Sequence, residues 1–261
     1  MKRSQSCRIE ILVCFGVALL TAPTRTSADV SVVQQVKQGG NGPSGQWRRT
    51  IRVKGLKLRL ESQHGPDTHI YIYDLEIGKR YRLEPRQKEI FVDDLASRSK
   101  QWQSGLILQN RRRVITPTGR KSEVGGMGCD EYTFDLQAPT RPSHGMQIIL
   151  HDSGTVCVSQ AIPDGIEFTN FVHEAQKRGF ISAAAVISPS TSPIGAYFYG
   201  EQPNVLVLSS KSESAYEGGP LHGMSVVESS MVVTAVNSNP IPEDAFQLPA
   251  DWKIKNEVEP K

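Results

Sequence analysis

The chain has 261 residues, of which 30 are Lys or Arg, 27 are Asp or Glu, and 38% are hydrophobic. Without residues 1–28, which form a predicted leader, 26 basic and 26 acidic residues remain. The calculated pI near 8.6 is therefore no argument for nucleic acid binding. The remaining chain of about 233 residues allows one large domain or two small ones, with a substantial hydrophobic core.

The first 28 residues have the three parts of a secretory signal peptide. Lys2, Arg3 and Arg8 give a positive start, and Ile11–Leu20 is an apolar run. This run is shorter than the roughly 20 residues that a helix needs to span a bilayer core. Small residues up to Ala28 suit a signal peptidase. We expect cleavage near Ala28, export to the periplasm, and a soluble mature chain without a transmembrane segment.

The charges are distributed unevenly along the chain. Residues 46–121 contain 18 basic and 8 acidic residues, whereas residues 122–261 contain 7 and 17. An exposed basic surface would attract anionic partners. The alternative is that solvated basic strand faces pair with acidic ones across the fold.

Short strands separated by turns are predicted between Val30 and Val92, which is typical of an antiparallel meander. The clearest alternation is in Leu56, Leu58 and Leu60, which are separated by charged residues. Such alternation indicates a sheet with one buried face and one wet, charged face.

The second half of the chain is predicted to mix strands and helices. Asp93–Gly105 is a predicted short helix with Asp93 or Asp94 as its cap, and residues 165–179 have the apolar spacing of a second helix. Asp152-Ser153-Gly154 is a predicted hairpin turn between two strands. The other predicted segments are strands at 113–116, 130–137, 145–151, 154–160 and 224–236, an insertion or mobile flap at 181–220, and a charged flexible tail at 253–261.

Two cysteines, Cys129 and Cys157, remain after removal of the leader. An even pair in an oxidising compartment favours a disulfide bond. Closing a loop of about 27 residues would contribute roughly 3 kcal/mol to stability. Two free, buried cysteines are the alternative.

The mature chain contains a series of short strand and turn motifs, which are Arg59-Leu60-Glu61, Ile72–Leu75, Tyr81–Pro85, Gly128–Tyr132, Val156–Ser159, Asn239–Pro242 and Phe246–Pro249. These motifs resemble those of a family of exported bacterial proteins of unknown function. That family is itself similar to periplasmic lipoprotein carriers and outer-membrane lipoprotein-insertion proteins. The resemblance implies an α+β, mainly β fold, in which a few helices cover the concave face of an open, barrel-like, curved antiparallel sheet. We expect a single β-rich domain over residues 29–252.

In the lipoprotein carriers, the cavity of the curved sheet binds acyl chains. Aromatic and leucine side chains of this chain are candidates for lining such a cavity. Because apolar cavities and ordinary cores use the same residue types, both interpretations stay open. The candidates are Leu58, Leu60, Tyr71, Tyr73, Tyr81, Phe91, Phe168 and Phe171.

No catalytic, cofactor-binding or metal-binding residues are predicted. His151-Asp152-Ser153 has the residue types of a catalytic triad, but adjacent residues on a strand point to opposite faces. The six histidines lack the spacing that puts two metal ligands on one helix face. We therefore expect a protein that is not an enzyme and has no cofactor.

The sequence favours an exported envelope protein that binds or carries a lipid or a lipidated polypeptide. The alternative is a protein-interaction module for envelope assembly or sensing, which would contact an envelope protein through charged sheet faces. An uncharacterised hydrolase is a third hypothesis. Nucleic acid is not expected as a partner of an exported chain.

Overall fold

The computed structural model describes residues 29–40, 44–105, 112–143, 146–160, 165–180, 183, 194–202, 204–218 and 226–256. The predicted signal peptide and residues 257–261 of the predicted tail lie outside these ranges.

The first half of the described chain forms six antiparallel strands joined by short connections. In β3, Leu58 and Leu60 are buried, while Lys57, Arg59 and Glu61 keep partial exposure, as the alternation predicts. The strands are β1 (Val30–Gly40), β2 (Gly45–Lys54), β3 (Lys57–His64), β4 (Asp67–Asp74), β5 (Lys79–Glu84) and β6 (Glu89–Asp94).

In the second half, the described residues form six strands and three α-helices. The first helix begins after Asp94, whose carboxylate accepts the backbone N–H of Ser97 at 2.9 Å and so caps the helix. The elements are α1 (Leu95–Gly105), β7 (Arg112–Val124), β8 (Met127–Ser143), β9 (Met146–Ser159), α2 (Gly165–Lys177), α3 (Ile194–Glu201), β10 (Leu206–Glu217), β11 (Val227–Asn237), a 3₁₀ helix (Glu243–Phe246) and β12 (Lys253–Asn256).

The twelve strands of the described residues form one open, curved sheet in the order β12-β6-β5-β4-β3-β2-β1-β11-β10-β9-β8-β7. β1 pairs antiparallel with both β2 and β11, so it joins the two halves of the chain. β12 is parallel to β6. The predicted mainly β fold with a curved antiparallel sheet is confirmed.

The two sheet faces carry separate apolar clusters. The face that α2 and α3 cover, here called the helix face, carries the larger cluster, which extends from Leu58 on β3 to Phe134 on β8. On the opposite face, here called the outer face, Ile72, Leu83 and Ile90 form a smaller cluster beneath Leu248 and Trp252 of the C-terminal segment.

Two parts of the predicted flap and tail are strands of the sheet. β10 lies between β9 and β11, so residues 206–217 of the predicted flap are an interior strand. Residues 253–256 of the predicted tail form β12, which extends the sheet beyond β6. Both predictions failed because polar composition was taken as a sign of exposure, whereas strand pairing depends on residues far away in the chain.

The predicted hairpin turn at Asp152-Ser153-Gly154 is wrong. These residues lie in the middle of β9, where Asp152 is opposite Ser214 and Gly154 is opposite Ser212 of β10. An added Cβ on Gly154 would lie 2.0 Å from the Lys211 carbonyl oxygen. Glycine is needed here because the two strands approach closely, and not because the chain turns.

Cys129 on β8 and Cys157 on β9 form a disulfide bond, with their Cα atoms 5.5 Å apart. The bond links two adjacent antiparallel strands, and both cysteines belong to the larger apolar cluster. Of the two interpretations of this pair, the disulfide is the one that the structure bears out.

Ion pairs join the basic first half of the chain to the acidic second half. Lys54 Nζ lies 2.9 Å from Glu243, and Arg113 lies 2.8 Å from Glu201. Each of these solvent-screened pairs contributes little to stability. The charge asymmetry is thus partly neutralised within the fold.

Candidate functional site

Five of the eight predicted cavity-lining residues are brought together on the helix face. Leu58, Leu60 and Tyr73 of the sheet and Phe168 and Phe171 of α2 are all buried members of the larger cluster. With α2 and α3 packed against the sheet, here called the closed arrangement, these five side chains are part of the hydrophobic core.

The other three candidates occupy different surroundings. Tyr71 is half-buried against the same cluster. Phe91 is opposite Arg82 on the neighbouring strand, and the guanidinium of Arg82 lies 4.3 Å from its ring centroid. Tyr81 does not join the others, because it packs on the outer-face cluster.

α2 and α3 pack on each other as well as on the sheet. The rings of Phe168 and Tyr199 are stacked with centroids 5.9 Å apart, and the His173 Nε2 atom lies 2.9 Å from the Gly200 carbonyl oxygen. At the end of α2, Arg178 donates to the Leu75 carbonyl at 2.8 Å. The two helices therefore form a joined cover over the larger cluster.

Polar side chains occur beneath this cover. The hydroxyl of Tyr199 accepts the backbone N–H of Val207 on β10 at 3.1 Å, and burial raises the pKa of Tyr199. Burial lowers the pKa of the Arg49 guanidinium to about 10, although Tyr73 and Tyr199 nearby favour its charged form. Gln34 of β1, opposite the half-buried Arg49 of β2, is buried. The helix face thus contains the polar side chains of Arg49, Gln34 and Tyr199 among its apolar residues.

A second polar feature, here called the polar stripe, consists of Asp152 on β9 and Ser210, Ser212 and Ser214 on β10. Their exposed fractions are between 1% and 8%. This site was not predicted from the sequence, because residues 181–220 were assigned to a flap and Asp152 to a turn. The signal was present, since these serines alternate with Lys211 and Glu213, and such a period of two indicates a strand.

A polar groove of about 640 Å³ lies on the outer face, where the chain after β11 crosses β1–β3. Arg52 and Arg59 each contact Glu61 at 2.6 Å, and Arg59 also donates to the Ala245 carbonyl at 2.9 Å. Burial alone would raise the pKa of Glu61, but the two arginines outweigh burial and hold it below its usual value. The groove therefore presents a network of charges to solvent.

The side chains of His151-Asp152-Ser153, which have the residue types of a catalytic triad, do not converge on one site. His151 Nε2 lies 2.7 Å from Glu217 at the surface, whereas the neighbouring Asp152 is buried in the polar stripe. Within the described residues, no group of three or more His, Cys, Asp or Glu side chains is arranged to hold a metal ion. The described helices include none with the length and apolarity to cross a bilayer.

No protein family and no curated protein matches this sequence. Among solved structures, the chain is similar to PNGF-II, with 12% identity and a TM-score of 0.35 over 89% of this chain, which spans 31% of that protein. It is also similar to a LolA superfamily protein from Nitrosomonas europaea, with 8% identity and a TM-score of 0.32. A Vibrio parahaemolyticus domain described as an outer membrane lipoprotein-sorting protein has 8% identity and a TM-score of 0.34. Each of the last two comparisons covers 85% of this chain and 90% of the other.

Proposed function

We propose that this chain is a non-enzymatic, exported envelope protein that binds an amphiphile, either a lipid or a lipidated polypeptide, on the helix face of its sheet. Export is supported by the leader pattern and by the disulfide between Cys129 and Cys157, because disulfides persist in oxidising compartments such as the periplasm.

The observation that carries the proposal is the extent of the apolar cluster on the helix face. It runs from β3 through the central strand β1 to β8, and in the described part of the chain α2 and α3, with 13 and 8 residues, pack over it. Acyl chains bind to apolar surface of this kind. The cover is amphipathic, since Phe168, Phe171 and Val172 of α2 face the sheet.

In the closed arrangement this surface is filled by the helices' own side chains. Phe171 and Phe198 have no exposed surface. An acyl chain can therefore bind only if α2 and α3 move away from the sheet, and the free energy of that movement lowers the apparent affinity.

Direct binding is tested with the mature chain, residues 29–261, exported to the periplasm of a bacterial host and purified under native conditions. Organic extraction followed by mass spectrometry is expected to detect co-purified lipid, and a dansyl-labelled fatty acid is expected to increase in fluorescence on binding. A protein that retains no lipid and does not enhance the dansyl emission would contradict the proposal.

We predict that Tyr199→Phe binds the dansyl fatty acid about fivefold more tightly than the original chain. The change removes the acceptor of the Val207 N–H at 3.1 Å while it keeps the ring that stacks on Phe168. Loss of this buried hydrogen bond weakens the closed state by about 1 kcal/mol, which makes opening easier by about that factor. Fluorescence titration measures the affinity.

Tyr197→Phe is the matched control on the same helix. The Tyr197 hydroxyl has its hydrogen bond with Glu201 of the same helix, and its ring stays beneath the Arg113 guanidinium of β7, which lies 3.8 Å from the centroid. Its affinity should equal that of the original chain. Equal affinities for all three proteins would mean that α3 does not need to move.

A second function, the binding of an envelope protein, is favoured by the groove on the outer face. Arg52 keeps about a third of its side chain exposed there, and Asn239 and Pro240–Pro242 line the same groove. Exposed arginine beside a polar groove suits an acidic segment of a partner.

We predict that Arg52→Glu abolishes the salt-sensitive capture of a groove-binding partner from periplasmic extract. Arg48→Glu makes the same change on the same strand, four residues earlier and outside the residues that line the groove. It should leave capture unchanged. Capture that is insensitive to both variants would exclude the groove as the contact surface.

A further inference from the structure

The polar stripe lies within the apolar helix face. Asp152 is opposite the buried Leu136 of β8, and Ser210 is opposite the buried Met231 of β11. Gly154 of β9 lies opposite Ser212 and has no side chain of its own. On β11, Ser212 is opposite Ser229, which is also buried, so the stripe is a row of polar side chains bordered by apolar residues at Leu136 and Met231.

The hydrogen-bonding capacity of the stripe is not fully used within the fold. Ser214 Oγ donates to Asp152 Oδ1 at 2.9 Å. Ser210 and Ser212 are 5% and 4% exposed, yet neither hydroxyl has a hydrogen-bond partner among the described residues. Buried hydroxyls without a partner are rare because each is costly, so the pair indicates a site for an external polar group.

The charges of the stripe restrict that group. Asp152 is the ionisable residue of the stripe, and the charged neighbours Lys211 and Glu213 alternate onto the opposite, exposed side of β10. Carboxylate and hydroxyl oxygens accept hydrogen bonds from O–H donors, while a carboxylate repels an anionic group. The chemistry fits an uncharged group with several hydroxyls.

β10 also aligns polar and apolar surface along one line. Leu206–Leu208 at its start are buried in the apolar cluster beneath α3, and Val207 carries the hydrogen bond to Tyr199. Ser210–Ser214 follow, and at about 3.3 Å per residue they extend over about 13 Å. An amphiphile lying along β10 would find an apolar surface first and hydroxyls next to it.

We propose that the polar stripe binds the uncharged, hydroxyl-bearing headgroup of an amphiphile whose acyl chain occupies the apolar part of the helix face. This inference rests on the proposed amphiphile binding and adds the class of headgroup that is selected. The serines give the headgroup hydrogen-bond partners that the fold itself does not supply.

The test compares monoolein with oleate, which has a similar acyl chain but an ionised carboxylate at pH 8. Both displace the dansyl fatty acid from the mature chain, and the original protein is expected to prefer monoolein about tenfold. In the double variant Ser210→Ala/Ser212→Ala, the loss of two hydrogen bonds should weaken monoolein about tenfold and leave oleate within twofold.

Ser153→Ala is the matched control, since Ser153 lies between Asp152 and Gly154 but on the exposed side of β9. It should keep the preference for monoolein. The double variant should fold with an unchanged or higher Tm without ligand, because removal of a buried hydroxyl without a partner does not destabilise the fold.

The outcomes separate the two proposals. Equal affinity for monoolein and oleate in the original chain, or an unchanged preference in the double variant, overturns the headgroup site while amphiphile binding stands. Displacement by neither probe overturns both.

Discussion

Replacement of Asp93 by alanine is expected to lower the free energy of unfolding by about 4 kcal/mol, the largest effect that we predict for a single change. Asp93 on β6 is directly opposite Arg80 on β5, and their carboxylate and guanidinium form an ion pair whose side chains are 10% and 6% exposed. Without Asp93, the buried Arg80 guanidinium loses the carboxylate that lies opposite it. Chemical denaturation measures the loss.

The neighbouring Asp94→Ala is the control. Asp94 is exposed and caps α1 through the Ser97 N–H, so its loss should cost about 1 kcal/mol. In the double variant Arg80→Met/Asp93→Leu, the buried charges are removed together, and its stability should exceed that of Asp93→Ala. If Asp93→Ala cost no more than Asp94→Ala, the buried ion pair would not exist in solution.

Gly154→Ala is expected to destabilise the protein by about 3 kcal/mol, since an extra methyl group has to displace packed backbone. The new Cβ would lie 2.0 Å from the Lys211 carbonyl oxygen and 2.8 Å from the Ser212 Cα atom. Both atoms belong to the β10 backbone, so they can yield only if β9 and β10 separate. Thermal and chemical denaturation report the change, and hydrogen exchange should increase in β9 and β10.

Gly128→Ala provides the comparison within the same sheet. Its added Cβ would meet no atom within 4 Å, and its backbone φ lies outside the left-handed region. We expect a change below about 0.5 kcal/mol, as for other surface substitutions. Equal stabilities of the two variants would favour the hairpin turn that the sequence pattern suggested over the continuous strand β9.

The Gly154 result also bears on function, because Gly154 of β9 lies opposite Ser212 of the polar stripe. A variant that opens β9 from β10 should lose the monoolein preference together with stability. Ser210→Ala/Ser212→Ala should lose the preference alone. The pair of results distinguishes a binding contribution of the serines from a structural one.

Local pattern by itself determined the elements whose burial follows from their own periodicity. Leu58 and Leu60 alternate with charged residues, so β3 and its buried face could be predicted. Phe168, Phe171, Val172 and Ala175 recur at helical spacing, and all four are buried in α2. Such periodicity is a property of one segment, and it survives whatever packs against that segment.

The sequence could predict only part of the candidate site. Leu58, Tyr73 and Phe171 share the helix face as expected, but Tyr81 faces the other way. The local alternation around Tyr81 marks two faces without saying which one the helices cover. That choice depends on α2 and α3, which lie more than 80 residues further along the chain.

Tertiary structure alone decided the register of distant strands and the burial of polar residues. β1 pairs with β11 about 200 residues away, with Val36 opposite Met231, and this pairing brings β10 into the middle of the sheet. Ser210 and Ser212 are buried because of that position, although their residue type is usually exposed. Hydrophobic periodicity reports how a segment divides its own two faces, whereas the partner on each face is selected by the whole chain.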